Sequence, residues 1–259
     1  MREKLSLQVV KVGGAVVEDP ASLTALLSAF AALPGLKVLV HGGGRSATRL
    51  SEALGIEPLM VNGRRVTDAK TLDIVTMVYG GLVNKRIVAS LQALGINALG
   101  LTGADLGYML SEKRPVGEVD YGWVGDVKAV DTAVLADLIE RGIVPVLAPL
   151  THDGQGHMLN TNADTIAAEA AKALAERFDV TLVYCFEKGG VLADPSDEGS
   201  VIPRITRTSF EDLVHTGVVV GGMIPKLENA FGALSAGVSN VLITSADALG
   251  TDAGTIVHI

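Results

Sequence analysis

Short, almost entirely apolar segments alternate with amphipathic helical patterns along the whole of this 259-residue chain. Continuous apolar segments of this length are typical of parallel strands that helices cover on both faces. Strands are predicted at Leu5–Val12, Leu36–His41, Asn97–Leu101, Ile143–Ala148, Val180–Cys185, Asn240–Thr244 and Thr255–Ile259. Strand–helix alternation over the full length predicts an α/β fold around an open, mainly parallel sheet with right-handed crossovers.

Polar residues and prolines mark where the predicted helices begin. Asp19 and Pro20 are typical of an N-cap and a first helical position, and Asp131 is a second N-cap. Asn162 can cap an alanine-rich helix that is predicted over 163–178. Pro225 is predicted to start a helix whose apolar residues follow the spacing of one buried face.

The remaining segments predict loops and a division into two lobes within one continuous fold. Residues 103–131 are rich in glycine and polar residues and predict an irregular or hairpin region, whereas 194–204 is the most loop-like segment. A weak boundary after the alanine-rich helix predicts an N-terminal lobe at 1–178 and a C-terminal lobe at 179–259.

Composition excludes several classes of protein. The formal net charge is −8, which argues against a nucleic-acid-binding protein, since such proteins usually have a basic domain or stripe. The single cysteine excludes an intrachain disulfide and favours a reducing compartment. The N-terminal residues do not resemble a signal peptide, and no uninterrupted apolar run reaches the roughly 20 residues of a membrane helix. We therefore expect a cytoplasmic protein without a membrane partner.

Glycine is enriched, at 30 of 259 residues, and three glycine clusters are placed where ligands bind in open α/β sheets. Gly13–Gly14 follows Lys11 at the end of the first strand, and Gly42–Gly44 ends the second. Gly221–Gly222 precedes a helix and Lys226. Successive glycine N–H groups can bind anions, particularly beside a helix N-terminus. One cluster alone would usually be a tight turn, but three clusters, two of them with a lysine, favour phosphate binding.

Common catalytic motifs are missing from the sequence. It contains no P-loop, no dinucleotide-binding G-x-G-x-x-G after a strand, no protein-kinase loop and no nucleophile elbow. Two histidines, His152 and His157, lie with Asp153 in a polar loop. No third ligand at a suitable spacing accompanies them, so we expect no metal site there. His41 is a possible base, but a histidine that orients the adjacent glycines is the more ordinary interpretation.

Two polar segments are candidates for substrate binding. Asn62-Gly63-Arg64-Arg65-Val66-Thr67 precedes a helix capped by Thr67 or Asp68, where an arginine can bind a carboxylate through two hydrogen bonds. Asn160-Thr161-Asn162-Ala163-Asp164 opens the alanine-rich helix. Alternatively, the arginines are a solvated surface pair, Asn162 is only an N-cap, and Asp164 is favoured there by the helix dipole.

Together these segments resemble the acetylglutamate kinase branch of the amino-acid kinase family. The resemblance covers essentially the whole chain. The motifs that match, in order, are Lys11-Val12-Gly13-Gly14, His41-Gly42-Gly43-Gly44, Asn62-Gly63-Arg64-Arg65-Val66-Thr67, Trp123-Val124-Gly125-Asp126-Val127, Asn160-Thr161-Asn162-Ala163-Asp164 and Gly221-Gly222-Met223-Ile224-Pro225-Lys226. The Asn-Gly-x-Arg-Val-Thr segment within 62–67 and the Asn-x-Asn-Ala-Asp segment at 160–164 are the most specific to this branch.

The resemblance implies a three-layer αβα sandwich with the amino-acid site in the N-terminal lobe and the nucleotide site in the C-terminal lobe. It implies transfer of the γ-phosphoryl group of ATP to the side-chain carboxylate of an N-acylated glutamate, in arginine biosynthesis. Mg²⁺ would be carried by the ATP phosphates, without a protein metal site. The partners expected are therefore an N-acylglutamate, ATP and a second copy of the chain.

The resemblance also implies roles for individual residues. Lys11 would face the nucleophile and the γ-phosphate, Lys226 the leaving side, and Asp164 would hold both ammonium groups. The N–H groups of Gly14 and Gly44 would bind phosphoryl oxygens. The remaining implied residues are Gly43, Arg65, Asn160 and Asn162 for the substrate, and Gly13, Glu187, Gly222 and Met223 for the nucleotide.

The sequence departs from the family pattern after the strand at 180–185. The family usually has a Thr-Asp-Val-x-Gly-Val-like turn, whereas this chain has Tyr184-Cys185-Phe186-Glu187-Lys188-Gly189-Gly190-Val191-Leu192, in which Glu187 can substitute for the aspartate. Arginine-inhibited relatives have an additional N-terminal helix. Only ten residues precede Lys11, so we expect an arginine-insensitive homodimer.

Three alternatives remain open from the sequence. The acyl group can be acetyl or a bulkier group such as succinyl, because the motifs do not fix the shape of the pocket. A non-catalytic sensor could keep the fold, but it would not need Lys11, Asp164 and Lys226 together. Carbamate, aspartate and glutamate kinases are related branches, of which glutamate kinases lack the Asn-x-Asn-Ala-Asp pattern and aspartate kinases usually have a regulatory extension.

Overall fold

Seven of the strands occupy the positions that the apolar segments predict. A computed structural model describes residues 4–61 and 63–259. The strands in chain order are β1 (Ser6–Val12), β2 (Leu36–His41), β3 (Met60–Val61), β4 (Arg64–Arg65), β5 (Ala98–Leu101), β6 (Met109–Lys113), β7 (Gly125–Val130), β8 (Val144–Leu147), β9 (Leu150–His152), β10 (Met158–Asn160), β11 (Asp179–Phe186), β12 (Arg204–Ile205), β13 (Asn240–Ser245) and β14 (Thr255–Val257).

The helices connect these strands. They are α1 (Gly14–Glu18), α2 (Pro20–Ala32), α3 (Gly44–Ala53), α4 (Ala69–Val75), α5 (Asn84–Ala93), α6 (Thr132–Glu140), α7 (Ala163–Leu174), α8 (Arg207–His215) and α9 (Met223–Ser235), with a π-helical segment at Thr76–Val83 and a short 3₁₀ turn at Asp105–Gly107. The predicted caps at Asp19, Asp131 and Asn162 each accept backbone N–H groups of the first turn, and Asp68 caps α4.

An eight-stranded sheet forms the centre of the molecule, in the order β12-β14-β13-β11-β1-β2-β8-β5. All neighbours in it are parallel except β13 and β14. A second sheet, β10-β9-β6-β7, and the hairpin β3-β4 lie outside it. Because β1 pairs with β2 on one side and with β11 on the other, the strand order changes direction at β1. In open α/β sheets the ligand site lies at such a point.

Each face of the large sheet buries its own core, which makes the molecule a three-layer αβα sandwich. Alternate residues of β1 separate the two: Leu7 and Val9 lie in one core with apolar residues of α6, α7 and α9, whereas Val10 and Val12 lie in the other with residues of α2, α4 and α5. The two-residue period of a strand therefore decides which helices each side chain of β1 meets.

Most boundaries agree with the prediction to within two residues, and the hairpin expected at 103–131 is β6 with β7. Two helix boundaries were wrong. The alanine-rich helix ends at Leu174 rather than at 178, where the chain tightens into turns, and α9 begins at Met223 rather than at Pro225. Proline fits the third helical position because the first N–H groups of a helix have no intrahelical partner. The short strands β3, β4, β9, β10 and β12 were not predicted.

One helical segment is longer and more apolar than the sequence analysis anticipated. The run Ala69–Ala93 is continuous over 25 residues and contains an 18-residue window with a mean hydropathy of 1.2, which is enough by length and composition to cross a membrane. It buries Ile74, Val78 and Ile87 in the second core of the protein itself. This is the arrangement of a core helix in a globular fold.

Candidate active site

The carboxyl ends of β1, β2 and β11 meet at the middle of the large sheet. Val12 is in register with His41 of β2 and with Cys185 of β11, so the glycines that follow β1 and β2 leave the sheet at the same level. The odd-numbered residues of β1 face α7 and α9, and Lys11 continues the row of Leu7 and Val9. Lys11 is therefore directed at the helices that contain Asp164 and Lys226.

Asp164 lies between the two lysines. Lys11 Nζ is 2.7 Å from Asp164 Oδ1, and Lys226 Nζ donates a hydrogen bond of 3.0 Å to Asp164 Oδ2. The three side chains come from β1, α7 and α9, and all are largely buried, with exposed fractions of 8%, 16% and 12% for Lys11, Asp164 and Lys226. The structure thus brings together three residues that are far apart in the sequence.

The three charges alter one another's protonation. Burial on its own would raise the pKa of Asp164, but the ammonium groups of Lys11 and Lys226 outweigh burial and lower this pKa to about 2. Burial lowers the pKa of Lys226 to about 8, with a contribution from Lys11 and against the attraction of Asp164. Asp164 is therefore ionised at neutral pH, whereas the pKa of Lys226 lies close enough to neutral pH for a fraction of this lysine to lose its proton.

The first two glycine clusters converge beside these charges. A Cβ atom on Gly14 would lie 3.8 Å from the backbone nitrogens of both Gly43 and Gly44, and one on Gly42 would lie 3.1 Å from the nitrogen of Gly14. Gly44 is also the first residue of α3, so its N–H group is one of those that a helix start leaves without an intrahelical partner. Backbone donors from two loops are thus available to one anion.

The side chain of His41 forms a hydrogen bond with the backbone of the second glycine loop. It is fully buried, with Nδ1 2.7 Å from Gly42 O and Nε2 3.1 Å from Asn84 Nδ2. A carbonyl oxygen only accepts, so Nδ1 carries the hydrogen and Nε2 accepts from Asn84. Burial lowers the pKa of His41 to about 4. With both ring nitrogens bonded, His41 has the orienting role and is not placed to act as a base.

A cavity of about 220 Å³ opens next to the glycine loops. Arg65 is buried in its wall, and its Nη2 donates to Gly44 O at 2.9 Å and to Thr48 Oγ1 at 2.7 Å. Its other terminal nitrogen, Nη1, is buried without a hydrogen-bond partner among residues 4–61 and 63–259. The alternative of a solvated surface pair is thus wrong for Arg65. Asn62 of the same motif lies outside the described residues.

Two asparagines line the same cavity. Asn160 Nδ2 donates to Thr67 Oγ1 at 2.9 Å, which leaves its carbonyl oxygen for a ligand. Asn162 accepts from the N–H groups of Asp164 and Thr165 and is therefore an N-cap, but it also forms part of the cavity wall. The capping bonds fix the start of α7 and with it the position of Asp164.

The remaining predicted residues lie at the ends of β1, α9 and β11. Gly13 precedes α1, Gly222 is the residue before α9, and Met223 is the first residue of α9. Glu187 is exposed just after β11, with Oε1 3.7 Å from Arg45. The ring of His157 lies 5.0 Å from that of Trp123, and its Nδ1 is 2.7 Å from Asp153 Oδ2.

Sequence reasoning missed three side chains that shape the site. Tyr79 lines the cavity from the π-helical segment and would contact any Cβ placed on Gly43. Asn84 bonds His41 from α5, and the ring of Phe186 lies against Lys226. Only Phe186 had a signal in the sequence, because it belongs to the turn that departs from the family pattern.

The chain matches known proteins over nearly its whole length. A model of the amino acid kinase family matches residues 6–245. An acetylglutamate kinase of Bacteroides thetaiotaomicron is 68% identical over 255 residues, which cover 98% of either chain. An acetylglutamate kinase of Parabacteroides distasonis is 66% identical and covers 98% of this chain and 99% of its own.

The fold has known counterparts as well. The crystal structure of smu.665 from Streptococcus mutans UA159 has a TM-score of 0.82 and 30% sequence identity, and the match covers 97% of this chain and 98% of that one. Together with the family match and the relatives, this likeness agrees with the resemblance that the motifs indicated. The chain belongs to the amino acid kinase family.

Proposed function

We propose that this protein transfers the γ-phosphoryl group of ATP to the side-chain carboxylate of N-acetyl-L-glutamate, which is the second step of arginine biosynthesis. The observation that supports this most strongly is the pair of lysines that share Asp164 beside two converging glycine loops. The names of the relatives, at up to 68% identity, support the same substrate.

The chemistry needs charge stabilisation rather than a base. A glutamate side chain has a pKa of about 4.3, so the nucleophile is already ionised at pH 7. In phosphoryl transfer the protein contributes positioning and neutralisation of the charge on the phosphoryl oxygens. Lys11 would act on the side of the nucleophile and Lys226 on the leaving side, and the N–H groups of Gly14 and Gly44 would bind the oxygens between them.

The cavity supports the binding of an N-acylglutamate. Arg65 has a buried nitrogen available for a carboxylate, and its planar guanidinium suits two parallel hydrogen bonds. Asn160 would bind the amide of the acyl group, while the backbone of Gly43 and Gly44 and the side chain of Asn162 complete the wall. This assigns the α-carboxylate to Arg65 and leaves the side-chain carboxylate to approach Lys11.

The nucleotide would lie on the opposite side of the triad, in the C-terminal lobe at 179–259, whereas the N-acylglutamate would lie in the N-terminal lobe at 1–178. Its phosphates would meet Lys11, Lys226 and the backbone of Gly13 and Gly14. Glu187, Gly222 and Met223 would contact the rest of the nucleotide. Mg²⁺ would be carried by the phosphates, which fits a site where both oxygens of Asp164 face ammonium groups.

Trapping of the product by hydroxylamine tests the reaction. Acyl phosphates give hydroxamates, so ATP would be supplied with N-acetylglutamate, N-succinylglutamate, glutamate or aspartate in parallel. We expect N-acetylglutamate to have the highest kcat/KM, and Asp164→Asn, of nearly the same shape, to lose most of this activity. Absence of hydroxamate with both N-acylglutamates would contradict the proposal. A higher kcat/KM with N-succinylglutamate would change the substrate, and binding without turnover would indicate a sensor.

We also propose that the protein is a cytoplasmic homodimer. Leu99 is exposed on β5, which is an edge strand of the large sheet, and Met77 and Leu82 are exposed on the helical run that packs beside it. Unpaired edge groups and apolar side chains of this kind are suited to pairing with a second copy.

A further inference from the structure

The ring of Phe186 lies against both lysines of the site. Its centroid is 3.6 Å from Lys226 Nζ and 4.8 Å from Lys11 Nζ. Phe186 is the last residue of β11, on the same face as Tyr184, and this face is the one that Lys11 shares on β1. The departure from the family pattern, which begins at the end of β11, therefore places an aromatic ring on the two lysines.

Neighbouring groups fix the position of this ring. The ring of Tyr184 is nearly parallel to it, at 6.2 Å and 8°. A Cβ on Gly13 would lie 3.3 Å from Phe186 Cδ1, so Gly13 leaves just enough space for the ring. The ring is thus held between β1 and the neighbouring aromatic residue, and its face is available to the lysines.

Lys226 faces one anion and two aromatic rings, of which that of Phe186 is the nearer. The charged groups that face it are Asp164 on α7 and Lys11 on β1. Tyr184 on β11 is uncharged, because burial raises its pKa well above the usual range. Asp164 shares its two oxygens between both lysines, and the ring of Phe186, at 3.6 Å from Lys226 Nζ, is the nearer of two aromatic faces that favour the charged form of Lys226, since that of Tyr184 is at 5.9 Å. An ammonium group over an aromatic face is attracted by the ring quadrupole, most strongly where water is excluded.

We propose that Phe186 is a positioning residue that keeps the Lys226 ammonium protonated and directed toward the transferring phosphoryl group. The role rests on the proposed function, since it acts through Lys226 in that reaction. The ring face attracts the ammonium without forming a hydrogen bond. The protons of Lys226 that Asp164 does not use therefore stay available to phosphate oxygens.

Phe186→Leu removes the π face while keeping an apolar side chain, and Phe186→Tyr keeps the face. The titration of Lys226 would be followed by NMR on ¹³C-methylated protein without substrates, with its resonance assigned through Lys226→Arg. We expect Phe186→Leu to lower the pKa of Lys226 by about 0.5–1 unit, as the loss of a desolvated cation–π contact implies. Phe186→Tyr should titrate like the wild type.

The same variants predict a matching change in activity. Because the protonated form is the active one, kcat/KM should fall as pH rises through the pKa of Lys226, and Phe186→Leu should move that decline to lower pH by the same amount. Phe186→Met serves as a second apolar variant if Phe186→Leu does not fold.

Three results separate this proposal from the proposed function. An unchanged or raised pKa of Lys226 in the apolar variants, or equal shifts in Phe186→Leu and Phe186→Tyr, would overturn the role of the ring. A wild type without kinase activity would instead contradict the proposed function, while the substrate-free titration would still decide whether the ring supports the charge of Lys226.

Discussion

Lys226 has one hydrogen-bond partner in the site, Asp164 Oδ2, and the rest of its surroundings are aromatic or cationic. Such an ammonium is weakly held compared with one in a saturated ion-pair network. It can therefore turn to the phosphate oxygen on which negative charge develops as the bond to the leaving group breaks. We therefore expect Lys226 to contribute more to the chemical step than to the binding of substrates.

Lys226→Ala is accordingly expected to lower kcat by about 10²–10³, which is the usual loss for one transition-state donor. Steady-state kinetics with ATP and N-acetylglutamate would measure it. Lys128→Ala, at an exposed pair with Glu112, is the matched control and should be close to the wild type. A rise in KM with kcat unchanged would assign Lys226 to substrate binding instead.

Arg65 is expected to act mainly on the binding of the amino-acid substrate. Arg65→Lys keeps the charge but loses the planar pair of donors, so the KM for N-acetylglutamate should rise about 10–100-fold while the KM for ATP changes little. Arg86→Lys, at an exposed position on α5, is the control. Equal increases in both KM values would contradict the assignment of Arg65 to the carboxylate.

At the scale of the elements, the contact between β2 and α5 connects the glycine loop to the sheet. Asn84 on α5 donates to His41 Nε2 and to Val146 O of β8, and its Oδ1 accepts from Lys85. A Cβ on Gly100 of β5 would overlap Asn84, so β5 must have a glycine there. Four elements thus fix one histidine, and the histidine fixes Gly42.

Two substitutions of His41 distinguish its two bonds. Asparagine reproduces the donor at Nδ1, so His41→Asn should keep kcat within about threefold of the wild type. His41→Gln can reproduce only the distal acceptor, through Oε1, and its kcat should fall about tenfold. Activity and thermal unfolding would be measured together, since both changes disturb a buried network. Equal kcat values for the two variants would contradict the orienting role of Nδ1.

Except for β12, the strands of the large sheet were predictable because their burial on both faces leaves a continuous apolar signal. The strands β9, β10 and β12 have two or three residues each, which is too short to leave a clear apolar pattern, and β12 pairs with β14, which is distant in the chain. The continuity of 69–93 also escaped prediction, since the sequence shows no single apolar run there. Short strands and helix continuity are decided by packing rather than by local pattern.

The site was predictable where a residue type and its spacing already imply chemistry. Lys11, Asp164 and Lys226 belong to motifs, and the structure brings their charged groups within 3.0 Å. Asn84 belongs to no motif, because its role exists only once α5 packs under β2. Phe186 was visible as a departure, but its contact with Lys226 depends on the strand register.

At the scale of the whole molecule, the net charge of −8 would repel ATP and a dicarboxylate. Three cations oppose this repulsion: Lys11 and Lys226 lie together on Asp164, and Arg65 lies in the wall of the cavity beside the glycine loops. Two of them are balanced by a single carboxylate, which leaves the site with a local positive charge in a negatively charged protein.

Assembly is expected to depend on the exposed apolar residues next to β5. The wild type should sediment with twice the mass of the chain, and a Met77→Glu/Leu82→Glu variant should sediment as a monomer, because two buried charges would oppose association. Leu5→Glu, at an exposed position before β1, is the control and should remain dimeric. A dimeric double variant would place the interface elsewhere, and a monomeric wild type would contradict the dimer.

The most direct measurement of the central claim follows the nucleophilic oxygen itself. N-acetylglutamate labelled with ¹⁸O at both side-chain carboxylate oxygens would be incubated with ATP, and the acyl phosphate observed by ³¹P NMR. Attack by the carboxylate predicts one ¹⁸O bonded to every phosphorus of the acyl phosphate, seen as an isotope shift. Release of unlabelled inorganic phosphate without a labelled acyl phosphate would contradict phosphoryl transfer to the carboxylate.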